Sequence, residues 1–255
     1  MSIKKRKIWI SYLGIFLFLI FSINCKKKSP TTPNGDSSLT FSGTISLNGQ
    51  PFAGVNVYLS GSASQRTTTA ADGKFTFSNL LGGTYLITPS RMNYQFNPSS
   101  FDVGGQSRTD LNITASDAVF GSDVGEIAAN FTLQDQNGNN VSLYDYHGNV
   151  ILMDFTADWC GPCREKAETA EEFYQQYKDK GFMYVLIVIE GDPAVWAETY
   201  GLTFPVLNDN GQTVYNVYRQ ADIPLPHVID RNCTIRYKKM GFNKAEVEAE
   251  IKKYL

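Results

Sequence analysis

Residues 150–163 read VILMDFTADWCGPC, and this stretch decides the fold of the C-terminal half of the chain. The run VILMDF is apolar except for Asp154, and a second apolar run, FMYVLIVI, occupies residues 182–189. Continuous apolar runs are typical of strands that are covered on both faces. Residues 165–180 between them are predicted to be helical. A strand, a helix and a second strand in this order predict a βαβ unit with a parallel sheet.

Two cysteines, Cys160 and Cys163, stand where the first predicted strand meets the helix. Cysteines three residues apart in a first helical turn can bring their sulfurs within disulfide range. The first of them faces unpaired backbone N–H groups and the positive end of the helix dipole, which stabilise a thiolate. The pattern therefore predicts a redox site in which Cys160 attacks a disulfide and Cys163 resolves the mixed disulfide.

The segment that leads into these cysteines, residues 125–163, reads GEIAANFTLQDQNGNNVSLYDYHGNVILMDFTADWCGPC. It closely resembles the thioredoxin superfamily, and within it the membrane-associated TlpA- and ResA-like thiol-disulfide oxidoreductases. The resemblance implies that residues 123–255 form an α/β thioredoxin fold, with a central mixed sheet flanked by helices. It also implies a redox-active Cys160–Cys163 disulfide with no cofactor and no metal.

The resemblance assigns roles to neighbouring residues as well. Asp154, six residues before Cys160, is implied to assist proton transfer at Cys163. An acid inside an apolar run is costly to bury without a partner or a task; the alternative is a solvated acid at the sheet edge. The implied substrate contacts beside the cysteines are Trp159, Gly161 and Pro162.

A cis-proline that faces the disulfide is the other mark of this family. In the segment IPLPHVID, residues 223–230, the predicted cis-proline is Pro226, with Pro224 as the alternative. The residue before it, Leu225, would offer its backbone to an extended substrate segment. His227, which follows, is expected to pack or to lie at the surface, with tuning of the thiols as the alternative.

Three positions depart from the family pattern. Glu168 stands where relatives commonly have a helix-kinking proline, so a straighter helix is expected. Lys166 occupies the place of an acid common in the TlpA-like group, so the role of that acid is not carried over. Thr156 replaces the tryptophan of thioredoxin itself.

Other interpretations of the cysteines have less support. A zinc site needs about four ligands, and Cys233, His147 and His227 are the remaining soft donors of this half. A peroxiredoxin nucleophile sits in a Pro-x-x-x-Thr-x-x-Cys pattern, which is absent. Cys233 is expected to be a bystander thiol, with a regulatory or intermolecular disulfide as the alternative.

Residues 39–115 show period-two alternation in short runs separated by the turn pairs Asn48-Gly49, Asp72-Gly73 and Gly82-Gly83. This pattern predicts an antiparallel, all-β sandwich, immunoglobulin-like or prealbumin-like. The pieces SGTISLNGQPFAGVNVYLSG and TTTAADGKFTFSNLLGGTYLITPS resemble the carboxypeptidase regulatory-like family. This half contains no histidine and no cysteine, so we expect a spacer or interaction domain. Residues 116–122 are the predicted linker to the second domain.

The charge of the chain is distributed unevenly. Its 23 Lys plus Arg residues oppose 25 Asp plus Glu residues, which excludes the uniform basic field of a non-specific nucleic-acid binder. Residues 1–38 carry seven basic groups and one acid, whereas residues 120–255 carry 12 basic and 20 acidic groups. Four cysteines in 255 residues are also too few for a disulfide-stapled scaffold.

The basic head continues into an apolar stretch, residues 8–23, that ends near Cys25. As a helix these residues would rise about 24 Å, short of the roughly 30 Å hydrocarbon core, which indicates a signal rather than a span. Residues 1–25 resemble a bacterial lipoprotein signal with lipidation at Cys25, although Ser22 and Asn24 depart from its pattern. An uncleaved signal anchor and an ordinary cleaved signal are the alternatives. Residues 26–38 are predicted to be a flexible tether.

Together these features predict a membrane-tethered lipoprotein of the cell envelope that acts as a thiol-disulfide oxidoreductase outside the cytoplasm. Gly-Pro between the cysteines is the dipeptide of reducing thioredoxin, so reduction of exported proteins, for example in cytochrome c maturation, is favoured. Its partners would be protein thiols and disulfides, with a transmembrane thiol reductant as electron donor. The alternatives are a scaffold or adhesion lipoprotein and a disulfide oxidase or isomerase.

Overall fold

The computed structural model describes residues 38–219 and 222–255. The predicted signal with Cys25, and the predicted tether up to residue 37, lie outside the described residues. Within the described ranges, no helix is long and apolar enough to cross a membrane. The described residues form one compact unit.

The N-terminal half is a sandwich of two sheets. Its strands are β1 (Leu39–Leu47), β2 (Gln50–Pro51), β3 (Asn56–Gly61), β4 (Gln65–Thr68), β5 (Lys74–Leu80), β6 (Thr84–Ser90), β7 (Tyr94–Asn97), β8 (Phe101–Gly104) and β9 (Arg108–Asp117). One sheet has the order β2-β1-β9-β7, with β5 also paired to β1, and the other has the order β4-β3-β6-β8. Alternate residues of β1 are buried, as the period-two pattern predicts. The all-β sandwich is thereby confirmed.

One turn of the sandwich follows the local sequence pattern, and one strand pairing does not. Gly73 has φ of 74°, and the Asp72 carboxylate accepts a hydrogen bond from Lys74 N at 3.1 Å, so this pair forms the predicted turn. One pairing departs from the predicted antiparallel pattern, because β1 and β9 run parallel to each other. These are the first and last strands of the half, and no local turn connects them.

The C-terminal half is built on a mixed sheet. Its strands are β10 (Phe120–Gly121), β11 (Ile127–Ala128), β12 (Thr132–Asp135), β13 (Asn140–Ser142), β14 (Val150–Ala157), β15 (Phe182–Glu190), β16 (Val206–Asn208), β17 (His227–Ile229) and β18 (Ile235–Lys238). Its helices are α1 (Gly161–Ala167), α2 (Ala170–Tyr177), α3 (Pro193–Tyr200), α4 (Thr213–Tyr218) and α5 (Lys244–Tyr254), with 3₁₀ turns at Leu143–Tyr146 and Lys178–Lys180. The predicted linker, residues 116–122, contains the end of β9 and the short strand β10, which pairs with β11.

The main sheet has the order β13-β12-β16-β15-β14-β17-β18. The central pair β14 and β15 is parallel, while β17 and β18 pair antiparallel beside β14. Every residue of β14 is buried, as a strand covered on both faces requires. This is the predicted thioredoxin-type arrangement, and the disulfide lies beyond the carboxyl end of β14.

The straight helix expected from Glu168 is not observed. The helical segment divides into α1 and α2 without a proline, and Thr169 between them has φ of −114° and ψ of 2°. The Thr169 backbone N–H and its hydroxyl both donate to Lys166 O, at 3.2 and 3.3 Å. A side chain that bonds to the preceding turn competes with regular helical pairing, so Thr169 marks the break.

The sandwich packs against the end of the main sheet where β14 begins. Ser90 Oγ donates to Arg231 O at 2.8 Å, and the Asn232 side chain accepts from Arg91 N and donates to Tyr94 O, each at 2.8 Å. Arg231 and Asn232 form the turn between β17 and β18. The eight residues of β14 separate this contact from the cysteines by roughly 23 Å.

Candidate active site

Cys160 and Cys163 are joined by a disulfide at the start of α1, with 5.3 Å between their Cα atoms. Cys160 is the N-cap residue, and its sulfur accepts a hydrogen bond from Cys163 N at 3.3 Å. Pro162 occupies the first turn, where a missing N–H breaks no helical bond. Both cysteines are buried.

The residues beside the cysteines form an accessible rim. The Trp159 side chain is 60% exposed, and its indole N–H donates to the Glu190 carboxylate at 3.0 Å. A Cβ built at Gly161 would meet nothing within 4 Å, so the space beside the disulfide is open. Pro162 lines a groove next to it.

The cis peptide bond of this loop precedes Pro224, not Pro226. The prediction of Pro226 was therefore wrong, and the alternative, Pro224, is correct. Ile223 O lies 3.9 Å from Cys160 Sγ, so Ile223 is the residue whose backbone faces the disulfide.

Leu225 does not have the free backbone expected of it. It is buried, and its N–H donates to Asp154 Oδ1 at 3.2 Å. Pro226 is likewise buried and leads directly into β17. The local sequence does not distinguish the two prolines in IPLP. Their surroundings differ in the structure, because the residue before Pro226, Leu225, is hydrogen-bonded to Asp154, whereas the residue before Pro224, Ile223, lies beside the disulfide.

Asp154 lies in the middle of β14 and is completely buried, so the alternative of a solvated acid at the sheet edge is wrong. One carboxylate oxygen accepts from Leu225 N and the other forms an ion pair with Lys166 Nζ. Burial raises the pKa of Asp154, and the attraction of Lys166 opposes that rise. Burial likewise lowers the pKa of Lys166 against the pull of Asp154.

Sequence reasoning missed the ion-pairing role of Lys166. The sequence did contain a signal for this role, namely the spacing of Lys166. It lies three residues after Cys163 and therefore on the same side of α1, which faces an acid in the adjacent strand. The ammonium also lies 5.5 Å from the ring centroid of Phe242. No local pattern in the sequence indicated the contact with Phe242, because Phe242 lies far along the chain, beyond the last strand of the sheet.

A groove of about 550 Å³ runs beside the disulfide. Its lining residues are Pro162, Glu165, Lys166, Thr169, Ile223, Pro224, Met240, Gly241, Phe242 and Lys244. Half of these ten residues have apolar side chains, and Met240 among them is more than half exposed. Lys166 is part of this lining, whereas Asp154 is not.

His227 is fully buried on β17, among the rings of Phe155 and Tyr218. Burial, reinforced by Lys238, lowers the pKa of His227 to about 3. The ring is therefore neutral near pH 7, and its Nδ1–H donates to Leu225 O at 2.9 Å. Its packing orients the loop rather than supplying a charge.

Cys233 is a buried free thiol in the turn between β17 and β18. Burial raises the pKa of Cys233 to about 12, so the group stays protonated at neutral pH. It lies in the same turn as Arg231 and Asn232, next to the sandwich and away from the disulfide. This environment favours the bystander interpretation.

Comparison with known proteins identifies relatives of both halves. Residues 40–116 match the carboxypeptidase regulatory-like domain, and residues 124–238 match the AhpC/TSA family. Thiol-disulfide oxidoreductase ResA of Geobacillus kaustophilus is 32% identical over 133 residues, which are 50% of this chain and 76% of that protein. The ResA protein of Bacillus anthracis is 31% identical over 134 residues, covering 51% of this chain and 78% of that protein.

Solved structures give similar matches. A crystal structure described as a putative thiol:disulfide interchange protein DsbE from Chlorobium tepidum is 32% identical, with a TM-score of 0.46. It covers 50% of this chain and 92% of that one. A putative protein disulfide isomerase from Bacteroides thetaiotaomicron is 28% identical, with a TM-score of 0.45, and covers 51% of this chain and 86% of that one.

Proposed function

The chain belongs to the ResA family of thiol-disulfide oxidoreductases, and from that premise we propose that it reduces disulfides of exported proteins through the Cys160–Cys163 dithiol. The observation that carries the proposal is the placement of this pair. The disulfide caps α1, with Ile223 O beside Cys160 Sγ and an open groove alongside. An extended substrate segment can reach that edge through the backbone of Ile223.

The reaction begins with the reduced enzyme. The Cys160 thiolate attacks one sulfur of the substrate disulfide, and the first substrate sulfur leaves as a thiolate. Cys163 then gives its thiol proton to Asp154, and its sulfur attacks Cys160 Sγ. The second substrate thiolate leaves, two electrons have passed to the substrate, and the enzyme holds the Cys160–Cys163 disulfide.

The roles of Cys160 as the attacking cysteine and Cys163 as the resolving cysteine follow from their surroundings. The Cys163 N–H group donates to Cys160 Sγ, and the same bond stabilises a thiolate there. Cys163 is fully buried, so it meets a partner only after the mixed disulfide has formed. Trp159, Gly161 and Pro162 would contact the substrate at the accessible rim.

Reduction is the proposed direction because Gly-Pro separates the cysteines. Thioredoxin, which has this dipeptide, has a reduction potential of about −270 mV, against about −120 mV for the oxidant DsbA. The proposed setting is the cell envelope, with a lipid anchor at Cys25 and a transmembrane thiol reductant as electron donor. Exported proteins, apocytochrome c among them, would be the substrates.

The sandwich is proposed to be a spacer between the anchor and the redox site. It contacts the far end of the main sheet through Arg231 and Asn232, and α5 through Ser60 Oγ, which donates to Lys253 O at 2.8 Å. This position leaves the groove and Trp159 accessible to a large substrate. An interaction with a partner protein would then use the outer faces of the sandwich.

Reduction of insulin by dithiothreitol tests the proposal. Wild type should accelerate precipitation of the insulin chains, and Cys160→Ser should lose that activity. Cys233→Ser is the matched control and should retain it. Equal rates for wild type and Cys160→Ser would contradict the enzyme and favour the scaffold alternative.

A redox titration of the Cys160–Cys163 pair tests the direction. A potential near that of thioredoxin supports reduction, and one near that of DsbA supports an oxidase. Cys163→Ala should accumulate mixed disulfides with its substrates, since the resolving sulfur is gone. Mass spectrometry of those adducts would then identify the substrates.

A further inference from the structure

Lys166 places an ammonium group in the interior, one helical turn after Cys163. Its side chain is 3% exposed and forms an ion pair with Asp154, whose side chain is fully buried. Removing two charges from water costs several kcal/mol per ion, which mutual attraction offsets only partly. A residue in a cleft whose pKa is perturbed by burial and by a specific charge partner is a candidate for a functional role.

The geometry gives the two partners different access to solvent. Both Asp154 oxygens are engaged, one by Leu225 N and one by Lys166 Nζ. Lys166 lines the groove beside the disulfide, and Asp154 does not. Of the two partners, Lys166 is therefore the one that lies on the groove wall.

We propose that Lys166 is a positioning residue that keeps Asp154 ionised and transfers the proton taken from Cys163 onward to the water of the groove. The inference rests on the proposed function, because it concerns the step in which Cys163 resolves the mixed disulfide. It adds a specific exit for the proton that this step releases.

The proton transfer balances without any further reactant. The Cys163 thiol proton passes to the Asp154 carboxylate as the Cys163 sulfur attacks Cys160. Lys166 releases one ammonium proton to water and takes up the proton from Asp154. The pair returns to its starting charges, one proton has moved from thiol to water, and no electrons are exchanged in the relay.

Burial makes both transfers easier. It raises the pKa of Asp154 and lowers the pKa of Lys166, so the two groups approach each other in proton affinity. When two groups have similar proton affinities, neither holds the proton strongly, so the proton can pass between them.

The other titratable groups around Asp154 do not replace Lys166. On β15, burial and the charge of Asp154 raise the pKa of Tyr184 well above its usual value, so it stays protonated. On β17, His227 is neutral. Glu165 and Lys244 lie on the groove wall. Among residues 38–219 and 222–255, Lys166 is the cation that hydrogen-bonds to Asp154.

The test separates the two chemical steps with 5,5′-dithiobis(2-nitrobenzoic acid). The reduced full chain releases one coloured thiolate when Cys160 attacks and a second when Cys163 resolves. In Lys166→Met, Asp154 loses the attraction that opposes the rise of its pKa on burial, so a larger fraction of this carboxyl group is protonated and cannot accept a proton. We expect the second phase to slow by about tenfold or more at pH 7, and its pH midpoint to rise, while the first phase is unchanged.

Three further variants make the result specific. Lys166→Arg keeps a cation beside Asp154, but a guanidinium does not release a proton, so the pH midpoint should return toward that of wild type while the second phase stays slow. Lys239→Met removes an exposed lysine that pairs with Glu246 and should behave as wild type. Asp154→Asn with Lys166→Met buries no unpaired charge and should match Asp154→Asn alone, so the proposal remains testable if Lys166→Met does not fold.

An unchanged second-phase pH profile in Lys166→Met would overturn the proposal. A double variant markedly slower than Asp154→Asn would overturn it too, since Lys166 would then act apart from Asp154. Failure of the proposed function is distinguishable, because it would appear as full insulin-reducing activity in Cys160→Ser.

Discussion

The carboxylate of Asp154 accepts a hydrogen bond from the backbone N–H of Leu225 at 3.2 Å. This bond connects the strand before the cysteines to the loop that faces them. The second oxygen of the same carboxylate pairs with Lys166 on α1. One buried acid therefore joins β14, α1 and the loop of Leu225, which surround the disulfide. A substitution of Asp154 can remove the proton acceptor while it keeps the hydrogen bond to the loop.

Asp154→Asn should preserve the loop and impair proton transfer. The amide oxygen can still accept from Leu225 N, but it is not a base. We expect resolution of the mixed disulfide to slow by about a hundredfold at pH 7, measured as accumulated mixed disulfide by mass spectrometry. Glu168→Gln, which makes the same kind of acid-to-amide change at an exposed position at the end of α1, is the control. Equal accumulation in both variants would contradict a role for Asp154 as proton acceptor.

His227 should make stability depend on pH below neutrality. Its pKa is about 3 when folded and 6.5 ordinarily, so the unfolded chain binds the extra proton between these values. Stability then falls as pH falls below 6.5, by up to about 1.4 kcal/mol per pH unit. Thermal unfolding of the oxidised protein at pH 7 and 5.5 measures this slope.

The control for that prediction is the second histidine. Burial also lowers the pKa of His147, so His147→Gln should remove part of the slope and His227→Gln a larger part. A His227→Gln variant with the full wild-type slope would show that the buried ring is not its source.

Cys233 should be unreactive in the folded protein. Its thiol is buried and its pKa is raised to about 12, so almost no thiolate is present at pH 7. Iodoacetamide should modify Cys233 in the reduced protein only after denaturation, as read by peptide mass spectrometry. Rapid labelling of native Cys233 would instead support the regulatory-disulfide alternative.

Asn232→Ala should weaken the contact between the two halves without affecting catalysis. The change leaves Arg91 N and Tyr94 O without their partner, and an unsatisfied buried polar group costs about 1–3 kcal/mol. Urea unfolding should show that loss, and insulin reduction should be unchanged because the disulfide lies at the opposite end of β14. Asn216→Ala, an exposed position in α4, should lose no stability. Reduced activity in Asn232→Ala would indicate coupling between the sandwich and the redox site.

The sequence by itself determined the elements and the chemistry that depend on neighbouring residues. Alternation and turn pairs predicted the strands of the sandwich, and two apolar runs around a helix predicted β14 and β15. The spacing of Cys160 and Cys163 predicted their place at a helix start. Each of these features is local, so a few adjacent residues contain the necessary information.

The tertiary structure alone decided which distant residues meet. It selected Pro224 over Pro226, paired Lys166 with Asp154 on another element, placed β1 parallel to β9, and set Asn232 against the sandwich. The sequence separations of these contacts range from 12 to 141 residues. Contacts of this kind depend on how whole elements pack, because burial of a charge or a backbone group is favourable only where the fold supplies its partner.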